Sequence, residues 1–115
     1  MEAVILTTEK NNCMDKQLYY EIGAWHVTTF PNATEEIQAA KLQEEATELR
    51  LELNNKNYRF AKEELADCFI VLIGIAVRMG LKYEGLVAEL LVKHSANKKR
   101  KWTDAISPGF YKGKK

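Results

Sequence analysis

The 115-residue chain is poor in the residues that interrupt helices and in those that build the commoner catalytic loops. It has two prolines, Pro31 and Pro108, so the whole stretch between them can be helical without a break. Its six glycines stand singly, at 23, 74, 80, 85, 109 and 113, which excludes a glycine-rich phosphate loop; no G-x-S-x-G elbow occurs either. The two cysteines, Cys13 and Cys68, read as unpaired, Cys68 as a small buried hydrophobe within Cys68-Phe69-Ile70-Val71-Leu72-Ile73. The absence of a disulfide framework fits a reducing cytoplasm. The longest apolar run, Cys68 to Val77, is too short to cross a bilayer, and Met1 to Lys10 lacks the pattern of a secretory signal. Bulk charge, at +1, argues for no partner.

What is present is a single domain's worth of amphipathic helix. Hydrophobic residues are 46% and charged residues 29% of the chain, ordinary globular usage. Residues 1–115 form one domain with a core over 34–102, preceded by a loop or short extended arm containing Val4-Ile5-Leu6-Thr7-Thr8. Four helices are expected: about Asp15 to Thr28, Thr34 to Leu53, Tyr58 to Met79 and Tyr83 to Lys101. Phe30-Pro31-Asn32, the polar turn Asn54-Asn55-Lys56-Asn57 and the helix-capping Gly80 separate them. The third helix, apolar nearly all round after Asp67, should be central. A tail over 103–115 is either mobile or docked on a partner subunit. The fold class is all-α, a four-helix-bundle-like domain. A core this small is often completed by self-association, as a homodimer or homotetramer.

The charges are segregated. Residues 34–52 hold six Glu against Lys41 and Arg50, and residues 93–115 hold eight Lys or Arg against Asp104 alone. Such blocks are most often solvated faces. Within the acidic block, however, Glu44-Glu45-Ala46-Thr47-Glu48 places Glu45 and Glu48 one turn apart, and Glu64-Leu65-Ala66-Asp67 does the same for Glu64 and Asp67. Against the expected apolar stripe Ala39, Leu42, Ala46, Leu49, Leu53, Glu45 falls on the flank of the buried face and Glu44 points to water; Glu52 is a spare candidate. Four acids at the edge of a core repel one another and lose hydration, which a cation must offset. Carboxylate oxygens with no histidine among them favour Mg²⁺ or Mn²⁺ over iron or zinc. One E-x-x-E segment is a weak signal; two pairs on adjacent helices are a stronger one.

The last helix reads Leu86, Leu90, Lys93, Asn97, Arg100 along one stripe. Its leucines should be core, which would turn Lys93, Asn97 and Arg100 inward as a point charge, a neutral donor and a bidentate fork for phosphate. A lysine-rich last turn also complements the helix dipole, which accounts for Lys98, Lys99 and Lys101.

Taken together, E-E-x-x-E, then E-x-x-D, then K-x-x-x-N-x-x-R-x-aromatic resembles the MazG-like all-α nucleotide pyrophosphohydrolases over about Thr34 to Trp102. The resemblance implies a helical bundle that pairs into dimers or dimers of dimers. It implies hydrolysis of a nucleoside triphosphate, deoxy or noncanonical, to the monophosphate and pyrophosphate. Glu45, Glu48, Glu64 and Asp67 would hold Mg²⁺, with a metal-activated water attacking the α-phosphate and one glutamate, such as Glu48, accepting its proton; Lys93, Asn97 and Arg100 would bind the phosphates. Trp25 and Phe30 lie in the segment where the family often places base-contacting aromatics, although burial in the core is the commoner role for aromatics on an amphipathic helix and the favoured reading of the two. His26 reads as a packing or capping residue and His94 as exposed. The rival reading is a helical binding module without catalysis, contacting nucleic acid through Lys98-Lys99-Arg100-Lys101-Trp102; a relative that binds nucleotide without hydrolysing it ranks below the active enzyme, since all four metal positions are acidic. Nucleic acid is the less favoured partner, and no membrane partner is expected.

Overall fold

The computed structural model describes residues 11–101, with side chains from 15 onward. The described residues form four helices and no strand: α1 (Asn11–Thr29), α2 (Glu35–Asn54), α3 (Tyr58–Arg78) and α4 (Tyr83–Lys99). The all-α fold class therefore holds. The first helix is described from Asn11, ahead of the start expected at about Asp15. The N-terminal arm, the side chain of Cys13 and the tail from Trp102 lie outside the described residues.

Each boundary has a local cause. Thr34 caps α2, its Oγ1 accepting from the Ile37 N–H at 3.1 Å, and Glu35 and Glu36 occupy the first turn, where the dipole favours anions. At the other end Lys56 N–H donates to Leu53 O at 3.0 Å and Asn57 N–H to Glu52 O at 2.9 Å, the paired bonds of a Schellman cap. That cap needs a left-handed residue, and Lys56 supplies it at φ 58°. The same arrangement closes α3, with Gly80 N–H donating to Val77 O and Leu81 N–H to Ala76 O. Here glycine fills the left-handed position, at φ 78°.

The chain divides into two compact units, one running through Tyr83 and the other from Glu84 onward. In the first, α3 is central, packing on both α1 and α2. Its buried residues Ala61, Cys68, Val71, Gly74 and Ala76 face the two neighbours, so the expected central helix and the buried Cys68 are both found. Tyr19 of α1 donates to Leu81 O at 2.6 Å, and the Tyr83 N–H donates to the Tyr20 hydroxyl at 3.0 Å, tying the middle of α1 to the segment that follows α3.

Two expectations about packing are corrected. On α2 the inward stripe is Gln38, Leu42, Glu45, Leu49 and Glu52, while Ala39, Ala46 and Leu53 are exposed. The stripe has shifted by about one residue, because small alanines gain little from burial and the interior instead takes polar side chains that line a cleft. In the second unit α4 buries none of its residues, and Leu90 is exposed. The leucines of α4 are thus not core in the chain taken alone, and the inward turn inferred for Lys93 from them loses its basis.

Candidate active site

Three of the four predicted metal-binding acids converge. Glu45 and Glu48 from α2 and Glu64 from α3 each offer an oxygen, and these atoms all lie within 4.8 Å of one another. They meet because the E-x-x-E spacing puts two carboxylates on the α2 face that packs on α3, and Glu64 lies one and a half turns into α3 opposite them. Burial differs: Glu45 is buried, Glu64 half-buried and Glu48 exposed. Asp67 is exposed and outside that trio, yet close enough for its charge to act on Glu64.

The electrostatics are those of an acidic cluster only partly compensated by a cation. Loss of hydration raises the Glu64 carboxyl first; a hydrogen bond with Glu48 and the charges of Glu48, Glu45 and Asp67 add to it, and together they push it up to about 7. Glu45 Oε1 and Glu64 Oε1 are both buried without a hydrogen-bond partner. Lys41 offsets part of the charge, its Nζ lying 3.2 Å from Glu45 Oε2 and 3.6 Å from Glu44 Oε1. That lysine is a site residue the sequence reading passed over. Its offset of four from Glu45 was the available signal, one that every surface helix also produces. Buried oxygens lacking partners, all from hard carboxylates, fit a divalent cation such as Mg²⁺.

A cleft of about 510 Å³ opens beside the trio. Glu44, Glu45 and Asp67 line one end, and Trp25, His26, Phe30, Ile37 and Gln38 line the other. Glu45 belongs both to the cleft and to the carboxylate cluster. Trp25 and Phe30 are not buried as helical aromatics usually are: Trp25 is 56% and Phe30 44% exposed, their rings edge-on with centroids 5.8 Å apart.

The aromatic end is braced from behind. Arg78 of α3 donates through Nε to Ala33 O at 2.8 Å and through Nη2 to Phe30 O at 2.7 Å, and its Nη1 lies 2.7 Å from His26 Nδ1. Burial, and then the Arg78 charge, lower the pKa of His26. His26 is thus the packing residue expected, and Arg78 a brace that sequence reading missed, 52 residues away from it. Lys93, Asn97 and Arg100 lie in the second unit, Lys93 exposed, Asn97 and Arg100 half-buried, with Arg100 just past the end of α4. His94 is exposed, as expected.

The sequence model of the phosphoribosyl-ATP pyrophosphohydrolase family matches residues 26–94, more than half of the chain. The chain belongs to the phosphoribosyl-ATP pyrophosphohydrolase family. This is an all-α relative of the MazG-like enzymes. The matched stretch contains all four acids and Lys93, while Trp25, Asn97 and Arg100 fall just outside it. Membership supports pyrophosphohydrolase chemistry on a nucleotide-like substrate, a class that commonly uses a divalent metal. No curated protein and no solved structure matches the chain. Among the described residues, no helix is long and apolar enough to cross a membrane.

Proposed function

We propose that this member of the phosphoribosyl-ATP pyrophosphohydrolase family hydrolyses the α–β phosphoanhydride of a nucleoside triphosphate, leaving the monophosphate and pyrophosphate. The observation that carries the proposal is the double membership of Glu45, which joins a three-carboxylate cluster to a cleft large enough for a small molecule. Glu45, Glu48 and Glu64 would hold Mg²⁺ or Mn²⁺, with Asp67 beside them. The metal, when bound, supplies charge neutralisation and Lewis acidity at the polyphosphate.

The remaining work falls to the chain. Glu45 and Glu64 present buried oxygens without hydrogen-bond partners, and Glu64, pushed up to about 7, would give up its proton as a cation binds. Glu48, the exposed member, can take a proton and release it to solvent. Trp25 and Phe30 offer aromatic faces on which a base can stack. Lys93, Asn97 and Arg100 remain the assigned phosphate ligands, carried over from the MazG-like resemblance. The family is named for phosphoribosyl-ATP, and a deoxy or noncanonical triphosphate offers the same anhydride; the reaction class is common to both. We include a homodimer or homotetramer in the reading, since Phe69 and Leu72 on α3 and Leu90, Leu91 and Val92 on α4 are exposed apolar side chains. A cytoplasmic location also belongs to it.

The test is pyrophosphate release from phosphoribosyl-ATP and from canonical, deoxy and modified nucleoside triphosphates, with Mg²⁺ and with EDTA. Metal-dependent release with a monophosphate product is expected, together with its loss in Asp67→Asn and Glu45→Gln. A folded, metal-supplied protein that releases pyrophosphate from none of them refutes the enzyme. A binding module that leans on Lys98–Lys101 would then be the better description, and its affinity should fall steeply with salt.

A further inference from the structure

Gln38 is out of place by the ordinary rules of burial. It is 6% exposed, sits on the inward stripe of α2 and lines the cleft, and its Oε1 is buried without a hydrogen-bond partner. An unpaired buried amide destabilises a free protein, whereas an apolar side chain of similar length would not. The residue therefore gives the fold nothing that leucine or methionine would not give better. A polar group set among aromatic and apolar side chains is how a pocket fixes a ligand's orientation; His26, which lines the same end, already has Arg78 as its partner.

Its position says which part of the ligand. Gln38 shares the aromatic end of the cleft with Trp25, Phe30 and Ile37, while Glu45 stands seven residues further along the same stripe, about 10 Å away. A substrate whose phosphates lie toward Glu45 puts its base beside Gln38. A carboxamide offers an acceptor and a donor side by side, the pattern by which glutamine pairs with an adenine edge.

We propose that Gln38 reads the nucleobase: Oε1 accepts from the exocyclic amine of adenine or cytosine, Nε2 donates to the neighbouring ring nitrogen, and Trp25 and Phe30 cover the face of the base. This rests on the cleft holding a nucleotide and adds which bases it prefers.

The experiment compares bases that differ only by amine against carbonyl. Affinities for AMP against IMP and for CMP against UMP are measured by calorimetry with Mg²⁺ present, and KM and kcat are measured for the four triphosphates. The parent protein should favour the amine-bearing member of each pair tenfold or more. Gln38→Met should collapse both ratios to within twofold, the change falling on KM more than on kcat, with thermal stability unchanged or raised; Gln38→Leu should repeat the result. A parent protein with no preference in either pair overturns the proposal. So does a Gln38→Met protein with unchanged ratios, or one that binds every base equally worse. Gln38-dependent selectivity among monophosphates without any triphosphate hydrolysis would sink the hydrolase reading and leave the base-reading role standing.

Discussion

Arg78 Nη1 lies 2.7 Å from Nδ1 of His26, and because a guanidinium can only donate, that contact leaves the imidazole proton on Nε2. Protonating the ring would place a second cation against the first. The pKa of His26 is lowered accordingly, by burial first and by Arg78 second. A histidine depressed below its unfolded value of 6.5 contributes stability that is fully present above that pH and is lost as pH falls below it. The His26 contribution to melting temperature should therefore fall between pH 7 and pH 5, so that on acidification the parent loses melting temperature relative to His26→Gln. An equal drop in the variant would assign it elsewhere.

Arg78→Ala removes the donor to four main-chain carbonyls, those of His26, Phe30, Ala33 and Gly74. Hydrogen bonds to charged donors are worth more than neutral ones, so a loss on the order of 3 kcal/mol is expected by urea unfolding. Lysine has one ammonium in place of a planar fork and should recover only part of it.

Gly74 faces the same imidazole. A Cβ there would come within 2.6 Å of His26 Nδ1, and the ring is pinned by Arg78 and unable to yield freely. Gly74→Ala should destabilise by about 1–3 kcal/mol through overpacking. It should also move Trp25 and Phe30, which a change in tryptophan fluorescence would report.

The carboxylate cluster predicts the opposite pH dependence. Glu64, raised from 4.5 to about 7 by lost hydration and then by its acidic neighbours, holds its proton in the fold. Its contribution is fully present below pH 4.5 and is lost as pH rises through 7, so the metal-free protein should weaken on the alkaline side. Added Mg²⁺ should raise the melting temperature more at pH 8 than at pH 5. Glu48→Gln should stabilise the metal-free protein at pH 8 and abolish the Mg²⁺ response; a variant that still responds fully would remove Glu48 from the ligand set.

Lys56 adopts a left-handed conformation that side chains disfavour. Lys56→Gly should raise stability by about 1 kcal/mol, roughly 4–8 °C in a domain of this size. Differential scanning calorimetry measures it directly.

The fold was readable because its punctuation is local. Pro31 with the Thr34 cap, the Asn54–Asn57 turn and Gly80 act through bonds within six residues of one another, so the helices fall where the sequence puts them. The acidic cluster was readable for a related reason: Glu45 with Glu48 is a one-turn relationship on one helix, and only its meeting with Glu64 needed the third dimension. Periodicity failed where it had to weigh side chains against one another. It chose Ala39 and Ala46 over Gln38 and Glu45 for the interior, because it counts apolarity and a binding cleft spends stability on polar groups. It could not pair His26 with Arg78, which no helical period connects. It also took Leu90 for core, since a stripe of leucines does not say what covers it.

Gln38 and Glu45 stand on one unbroken α2, and this makes the helix a ruler. The distance between them, and the angle at which each looks into the cleft, are fixed by the winding of seven residues rather than by any loop that could relax. A single insertion or deletion between positions 39 and 44 would swing one end of the cleft by about 100° against the other, while the turn at 54–57 could lengthen at little cost. Changes in chain length should therefore accumulate in the connections and be purged from this one helix, and any lasting change in what the cleft accepts should come by substitution alone.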